Sequence, residues 1–287
     1  MTELPVWIDR SNIYTSSGGA TSSGGETTSD ETSSGGKTSL ASSKLLRGIK
    51  GIIFDFDGTL FDNARFPFYL ICANPLDIFR LWKERLVRKY FTGCDYGSPE
   101  NYTHSFFTSL GKLCFRSPRR MQNWYFNRYL PRMARVLTKH YQFRSGVREL
   151  FRYFDSDSPD IPRVAIYSDY PMLKERIEAM GLYLSPHIPL YGPESFGAQK
   201  PAVRPFLRIA DNLGVLPEEV LVIGDREDTD GLGAFKAGMR FFCLETGRRR
   251  YFRLDPDRRR PIQEPQGPTL VLYAGAWGDL VRLLLQN

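Results

Sequence analysis

Three short apolar runs in this chain stop abruptly at polar clusters. Ile52-Ile53-Phe54 ends at Asp55 and Asp57, RVAIY at Arg163–Tyr167 ends at Ser168-Asp169, and VLVI at residues 220–223 ends at Gly224-Asp225. Runs of this length without alternation predict strands buried on both faces. Segments of helical spacing lie between them, at residues 147–154, 172–180 (closed by Gly181), 203–213 (closed by Gly214) and from 232 to 237. A short strand at 187–191, another at 240–244 and a closing amphipathic helix at 279–286 complete the series. Strand and helix in alternation predict an α/β fold, a mostly parallel sheet with helices on both faces.

Residues 63–146 break this rhythm. Residues 76–90 place Leu76, Phe79, Leu81, Trp82 and Leu86 at helical spacing. Residues 103–113 and 121–141 read the same way, interrupted by Ser117-Pro118 and Pro131. The pattern predicts an all-helical domain at 63–146, inserted into an α/β core formed by 46–62 and 147–287. Residues 1–45 form a third unit. TSSGG recurs from Thr15, Thr21 and Thr32, and such a Ser/Thr/Gly stretch has too little apolar surface to fold, so a flexible tail is expected. Leu4 to Ile8 could dock on the body. Gly36-Lys37-Thr38 imitates the end of a phosphate-binding loop, but position 31 is Glu and no buried strand precedes it.

Charge sharpens the division. The chain carries a net +7, yet residues 62–145 alone hold 15 Lys and Arg against 5 Asp and Glu. The insert is therefore basic and the remainder slightly acidic. Four cysteines without C-x-x-C spacing, and a start lacking a basic-then-apolar signal, suggest free thiols in a reducing, cytoplasmic setting. No segment of about 20 apolar residues could span a membrane. No nucleic-acid motif accompanies the basic charge, so no nucleic-acid partner is expected, and the Arg-rich stretch 248–260 reads as an exposed loop.

The candidate chemistry sits where the strands end. In open parallel sheets, ligands bind beyond the carboxyl ends of the strands, so Asp55, Asp57, Ser168 and Asp225 should meet in one crevice. Asp57-Gly58 alone would suit a simple turn. Three converging acids favour a hard cation with oxygen ligands, with Mg²⁺ the natural candidate. Lys200, between a Gly197-Ala198-Gln199 turn and Pro201, can bring a positive charge to the same place. A cation, a lysine and a hydroxyl around one carboxylate suit a phosphoryl group. His104, His140 and His187 lack metal-ligand spacing and read as structural or surface residues. Trp124, Tyr125, Phe126 and Tyr129 read as the core of the insert.

Four blocks in order, IIFDFDGTL, VAIYSD, QKP and VLVIGDREDTD, resemble the haloacid dehalogenase (HAD) superfamily of phosphohydrolases. The resemblance covers about residues 51–245 and implies a Rossmann-like, doubly wound core. The insert resembles the family's C1-type helical cap, in a phosphoglycolate phosphatase-like layout. The resemblance implies Asp55 as nucleophile and Asp57 as general acid/base. It implies Ser168 and Lys200 as phosphate-binding groups, and Mg²⁺ held by Asp55, Asp225 and the backbone carbonyl of Asp57. Asp230 completes the last block and would orient Lys200 or a metal-bound water. Asp228 reads as solvated helix-start chemistry; Asp169 stays open between a site role and a cap of the following turn, and Asp62 between a turn or helix-start role and catalysis. The expected function is Mg²⁺-dependent hydrolysis of a small, multiply anionic phosphometabolite. A phosphomutase, or a basic protein binding nucleic acid or acidic membrane, is the alternative.

Overall fold

The computed structural model describes residues 45–156, 158, 160–245 and 272–285. The expectations for the Ser/Thr/Gly stretch, for Leu4 to Ile8 and for the Arg-rich stretch 248–260 lie outside these residues. Six strands form one parallel sheet: β1 (Gly51–Asp55), β2 (Arg163–Tyr167), β3 (Leu190–Tyr191), β4 (Val220–Gly224), β5 (Arg240–Leu244) and β6 (Leu272–Gly275). Their order is β3-β2-β1-β4-β5-β6. β1 lies between β2 and β4, with Asp55 opposite Tyr167 and Phe54 opposite Ile223. The three polar clusters therefore emerge side by side.

β1 is apolar without alternation because both its faces are covered. Ile52 and Phe54 pack with Ile166, Leu221 and Ile223 in one cluster. Ile53 faces the other way, with Ala165, Tyr167 and Val222. In the insert, the helices are α1 (Phe66–Ala73), α2 (Ile78–Phe91), α3 (Pro99–Cys114), α4 (Pro118–Trp124) and α5 (Leu130–His140). In the core they are α6 (Val147–Phe154), α7 (Leu173–Ala179), α8 (Pro193–Phe196), α9 (Val203–Leu213), α10 (Leu232–Lys236) and α11 (Trp277–Leu285). α6, α7 and α11 cover the first face of the sheet, α9 and α10 the second.

α1 to α5 enclose a separate core of Phe91, Phe106, Leu110, Tyr125, Tyr129 and Met133. Several elements differ from the sequence expectation. α1 and β6 are additional, and the strand near 187–191 shrinks to two residues. Ser117 accepts from Arg120 N and starts α4, so Ser117-Pro118 opens a helix as well as ending one. Pro131 lies in the first turn of α5, where its missing N–H is tolerated. The π-type segment Tyr125–Tyr129 carries the chain there from α4 without a break. Phe126 is part-exposed, whereas Trp124, Tyr125 and Tyr129 are buried as expected.

α2 is turned against its apolar pattern. Leu81 is buried, but Leu76, Phe79 and Trp82 are 87%, 50% and 54% exposed. The inward positions are Glu84, Val87, Arg88 and Phe91. Burial of the charged pair is compensated: Arg88 Nε donates to Glu84 Oε1 at 3.0 Å, and its terminal nitrogens donate to Tyr125 Oη and to the carbonyl of Asp169.

Backbone bonds tie a loop of the insert to the core. Gly93 N donates to Lys200 O at 3.0 Å, Tyr96 N to Gly197 O at 3.0 Å, and Gln199 N to Cys94 O at 3.2 Å. Arg204 clamps Asp95 with two bonds of 2.7 and 2.5 Å. Gly197, at φ 68°, allows this approach, because a Cβ there would fall on the backbone of Ser98. The insert thus sits directly over the Lys200 loop.

Candidate active site

The turn after β1 is shaped around Asp225. Gly58 has φ +101°, and a Cβ on it would collide with the Asp225 carboxylate. Glycine therefore lets the Asp55–Thr59 turn pass directly against the end of β4. Arg144, just beyond α5, fixes that turn by donating to the carbonyls of Thr59 and Gly58 at 2.9 and 3.0 Å.

Asp55 is buried and held from both sides. Thr59 Oγ1 donates to its Oδ2 at 2.9 Å, and Lys200 Nζ donates to its Oδ1 at 2.7 Å. The same Lys200 ammonium donates to Asp230 Oδ1 at 2.8 Å. Asp230 thus shares the Lys200 ammonium with Asp55. Burial works against the Lys200 charge, but Asp230 and Asp55 outweigh it and hold the ammonium well above the usual lysine range. Burial pushes the Asp55 carboxyl up to about 7 against the pull of Lys200, and Asp230 up to about 6. Asp225 rises to about 7, through burial and the nearby Asp55.

Asp57 faces a different partner. Ser168 Oγ donates to its Oδ2 at 2.8 Å, and the Arg176 guanidinium pairs with its Oδ1. Arg176 also donates to Ser168 Oγ at 3.2 Å and lies over the Phe56 ring. It comes from α7 and is almost wholly buried. Ser168, expected to face a phosphoryl group, is thus engaged with Asp57 and Arg176. Asp169 does not cap its own turn: its Oδ1 accepts from Lys200 N at 2.9 Å, joining the β2 loop to the lysine loop. Asp228 is exposed and paired with Arg226, and Asp62 accepts from Ala64 N in a turn. The three histidines are exposed; His140 stacks on Tyr69.

Sequence reasoning missed Thr59, Arg88, Arg144 and Arg176. Thr59 alone had a visible signal, a hydroxyl four residues after Asp55. The arginines have none, because each acts on residues far away in the chain.

The acids suit a cation. Asp55, Asp225 and Asp230 each offer an oxygen within 4.8 Å of the others. Among the described residues, Asp225 Oδ1 is buried without a hydrogen-bond partner. A buried carboxylate oxygen that lacks a donor beside two further acids fits a hard divalent ion. The carboxylate of Asp57 is not in this group.

Residues 49–238 match the family described as haloacid dehalogenase-like hydrolase. The match spans more than half of the chain. The protein belongs to this family. Among solved structures, this haloacid dehalogenase-like hydrolase resembles a 2-haloacid dehalogenase from Pseudomonas syringae pv. Tomato, with TM-score 0.53 and 17% identity over 83% of this chain and 99% of the other. It also resembles the magnesium-bound HAD-hydrolase YfnB from Bacillus subtilis, with TM-score 0.50 and 17% identity over the same shares. At such identities the likeness speaks for the fold. A curated relative, the glyceraldehyde 3-phosphate phosphatase of Methanopyrus kandleri, is 48% identical over 46 residues. That stretch is 16% of this hydrolase and 20% of the relative, so the chain matches about a fifth of that relative's length.

Proposed function

We propose that this hydrolase is a Mg²⁺-dependent phosphatase that transfers the phosphoryl group of a small metabolite to Asp55 and then to water. The observation that carries the reading is the shared lysine: Lys200 bonds Asp55 at 2.7 Å and Asp230 at 2.8 Å. Asp55 offers the nucleophilic oxygen. Lys200 holds a positive charge beside the oxygens of the group in transfer, and Thr59 fixes the rotation of the carboxylate. Asp57, two residues on, serves as acid for the leaving oxygen and as base for the attacking water. Both its oxygens accept hydrogen bonds in this structure, from Arg176 and Ser168, so the acid step requires one of these contacts to loosen. A phosphoryl group would draw Ser168 from Asp57 in the same movement. Asp55 and Asp225 would hold the Mg²⁺, which supplies charge neutralisation for the phosphoryl oxygens.

Asp57 supports ester hydrolysis over dehalogenation, which does not need a second acid. The partial relative is named a phosphatase, which agrees with this reading. The finer reading is a substrate with a second anionic group. It is supported by the positive field of the cap, 15 cationic against 5 acidic residues over positions 62–145. The test is a panel of phosphorylated metabolites, each with Mg²⁺ and with EDTA. Turnover only with Mg²⁺, highest for esters bearing a carboxylate or second phosphate, is expected. Full turnover in EDTA, or conversion to an isomeric phosphoester without released phosphate, would overturn the reading.

A further inference from the structure

The outer side of the cap carries apolar and cationic groups that the fold itself does not use. Phe79 and Trp82 project from α2, and Phe115, after α3, is 83% exposed. Phe79 and Trp82 form a pair. The Phe79 and Trp82 rings lie 6.2 Å apart, and Lys83 Nζ sits over both, 5.1 and 4.2 Å from their centroids. A helix that buries Glu84 and Arg88 while exposing Ile78, Phe79 and Trp82 inverts the usual amphipathic arrangement.

A cavity of about 340 Å³ meets α2 at Arg80, with Arg116, Arg120 and Arg128 also in its walls. Trp124 lines it too, and among the described residues its indole N–H is buried without an acceptor. Among the described residues, no acid lines this cavity. Asp77, the partner of Arg80 and Arg128, is shared with Arg132 as well. A neighbouring hollow joins Arg116 and Arg120 to Phe115. Neither hollow contains a residue of the catalytic crevice. The arginines of these two hollows therefore lie outside the crevice of Asp55.

Three occupants meet parts of this surface. A soluble phosphate would satisfy the arginines and leave the aromatic side chains in water. A second copy of the chain would cover the aromatics but set one basic cap against another. An anionic bilayer satisfies both: apolar side chains enter the boundary between headgroups and acyl chains, and cations meet lipid phosphates. Tryptophan and stem-bearing cations are suited to that boundary. We infer that the outer face of the cap docks on an anionic phospholipid surface, with Phe79, Trp82 and Phe115 in the interface and Arg116 and Arg120 on lipid phosphates. The docking is peripheral, since no helix among the described residues is long and apolar enough to cross a membrane. It leaves Asp55 and its partners untouched and does not depend on their proposed chemistry.

The test is flotation of the full chain with phosphatidylcholine vesicles, with and without phosphatidylserine, across a salt series. Binding only to the phosphatidylserine vesicles, weakening as salt rises, is expected. Phe79→Ser with Trp82→Ser, and separately Arg116→Ala with Arg120→Ala, should each weaken partitioning by roughly an order of magnitude. Melting temperature and turnover of a soluble phosphoester should change little in both double variants. The inference is overturned if the wild type does not float at low salt, or if both double variants float like wild type. Inorganic phosphate binding that fully displaces the protein from vesicles at low concentration would give the cavity to a soluble anion instead. A dimer lost in Phe79→Ser with Trp82→Ser, without flotation, would give the face to a second copy.

Discussion

Arg176 shows most clearly what a single residue contributes here. Its guanidinium is buried, paired to Asp57, and bonded to the hydroxyl that also serves Asp57. Removing it leaves a partly buried carboxylate with one donor and empties a site beneath the Phe56 ring. Arg176→Met should cost about 3 kcal/mol of stability, as for breaking other buried charged pairs. It should also lower kcat more than it raises KM, because Asp57 loses its orientation while Lys200 and Thr59 keep theirs. Arg176→Lys should recover part of kcat, since it keeps the charge without the fork. Steady-state kinetics with a thermal melt for each variant make the check. Unchanged kcat in a stable Arg176→Met variant would reduce Arg176 to a packing residue.

At the scale of elements, the loop between α2 and α3 joins the helical insert to the Lys200 loop. Its three backbone bonds to Gly197, Gln199 and Lys200 are secured by the Arg204–Asp95 pair. That pair is partly exposed, and Arg204 holds the Asp95 carboxyl below its ordinary range. Asp95→Ala should loosen the loop without unfolding the cap. Amide exchange at Tyr96 and Gln199 should rise about tenfold in step, while β1 amides stay protected. Exchange that rises at only one of the two sites would mean the strands of this junction open independently.

The elements also show what the sequence could reveal. β1, β2 and β4 were legible because a strand buried on both faces must be continuously apolar and must end where polar groups begin. Asp55 and Asp225 followed, since a parallel sheet brings those ends together, whereas Lys200 was legible through its turn and the QKP block. The direction of α2 was not legible. Its spacing offered two faces, and Glu84 with Arg88 could turn inward only because Tyr125 and Asp169 receive the guanidinium. Arg176 reaches Asp57 across 119 positions, and Arg144 reaches Thr59 across 85. No local pattern records such contacts. β6 carries an apolar signal in Leu272 and Tyr273, but only its pairing with β5 makes so short a run a strand.

For the whole molecule, the crowded acids link folding to pH and metal. Asp225 rises from 3.8 to about 7 on folding, through burial first. Between those values the unfolded chain gives up a proton that the folded chain keeps. The unfolded state then binds fewer protons, so without metal, stability falls as pH climbs from about 4 to about 7 and levels above. A divalent cation favours the charged carboxylates and offsets the loss. Mg²⁺ should therefore raise the melting temperature more at about pH 8 than at about pH 5, as calorimetry can measure. Equal shifts at both values would separate the acid cluster from metal binding.

Asp55 is proposed to take the phosphoryl group, and Asp55→Asn removes that oxygen alone. The substitution keeps the shape, the Thr59 contact and the burial while replacing the nucleophilic oxygen. Turnover of the best substrate from the metabolite panel should be measured with saturating Mg²⁺, beside the melting temperature of the same preparation. With Asp55 as nucleophile, turnover should fall by at least about a thousandfold in a variant that still folds. A folded Asp55→Asn variant retaining even about a tenth of wild-type turnover would contradict it.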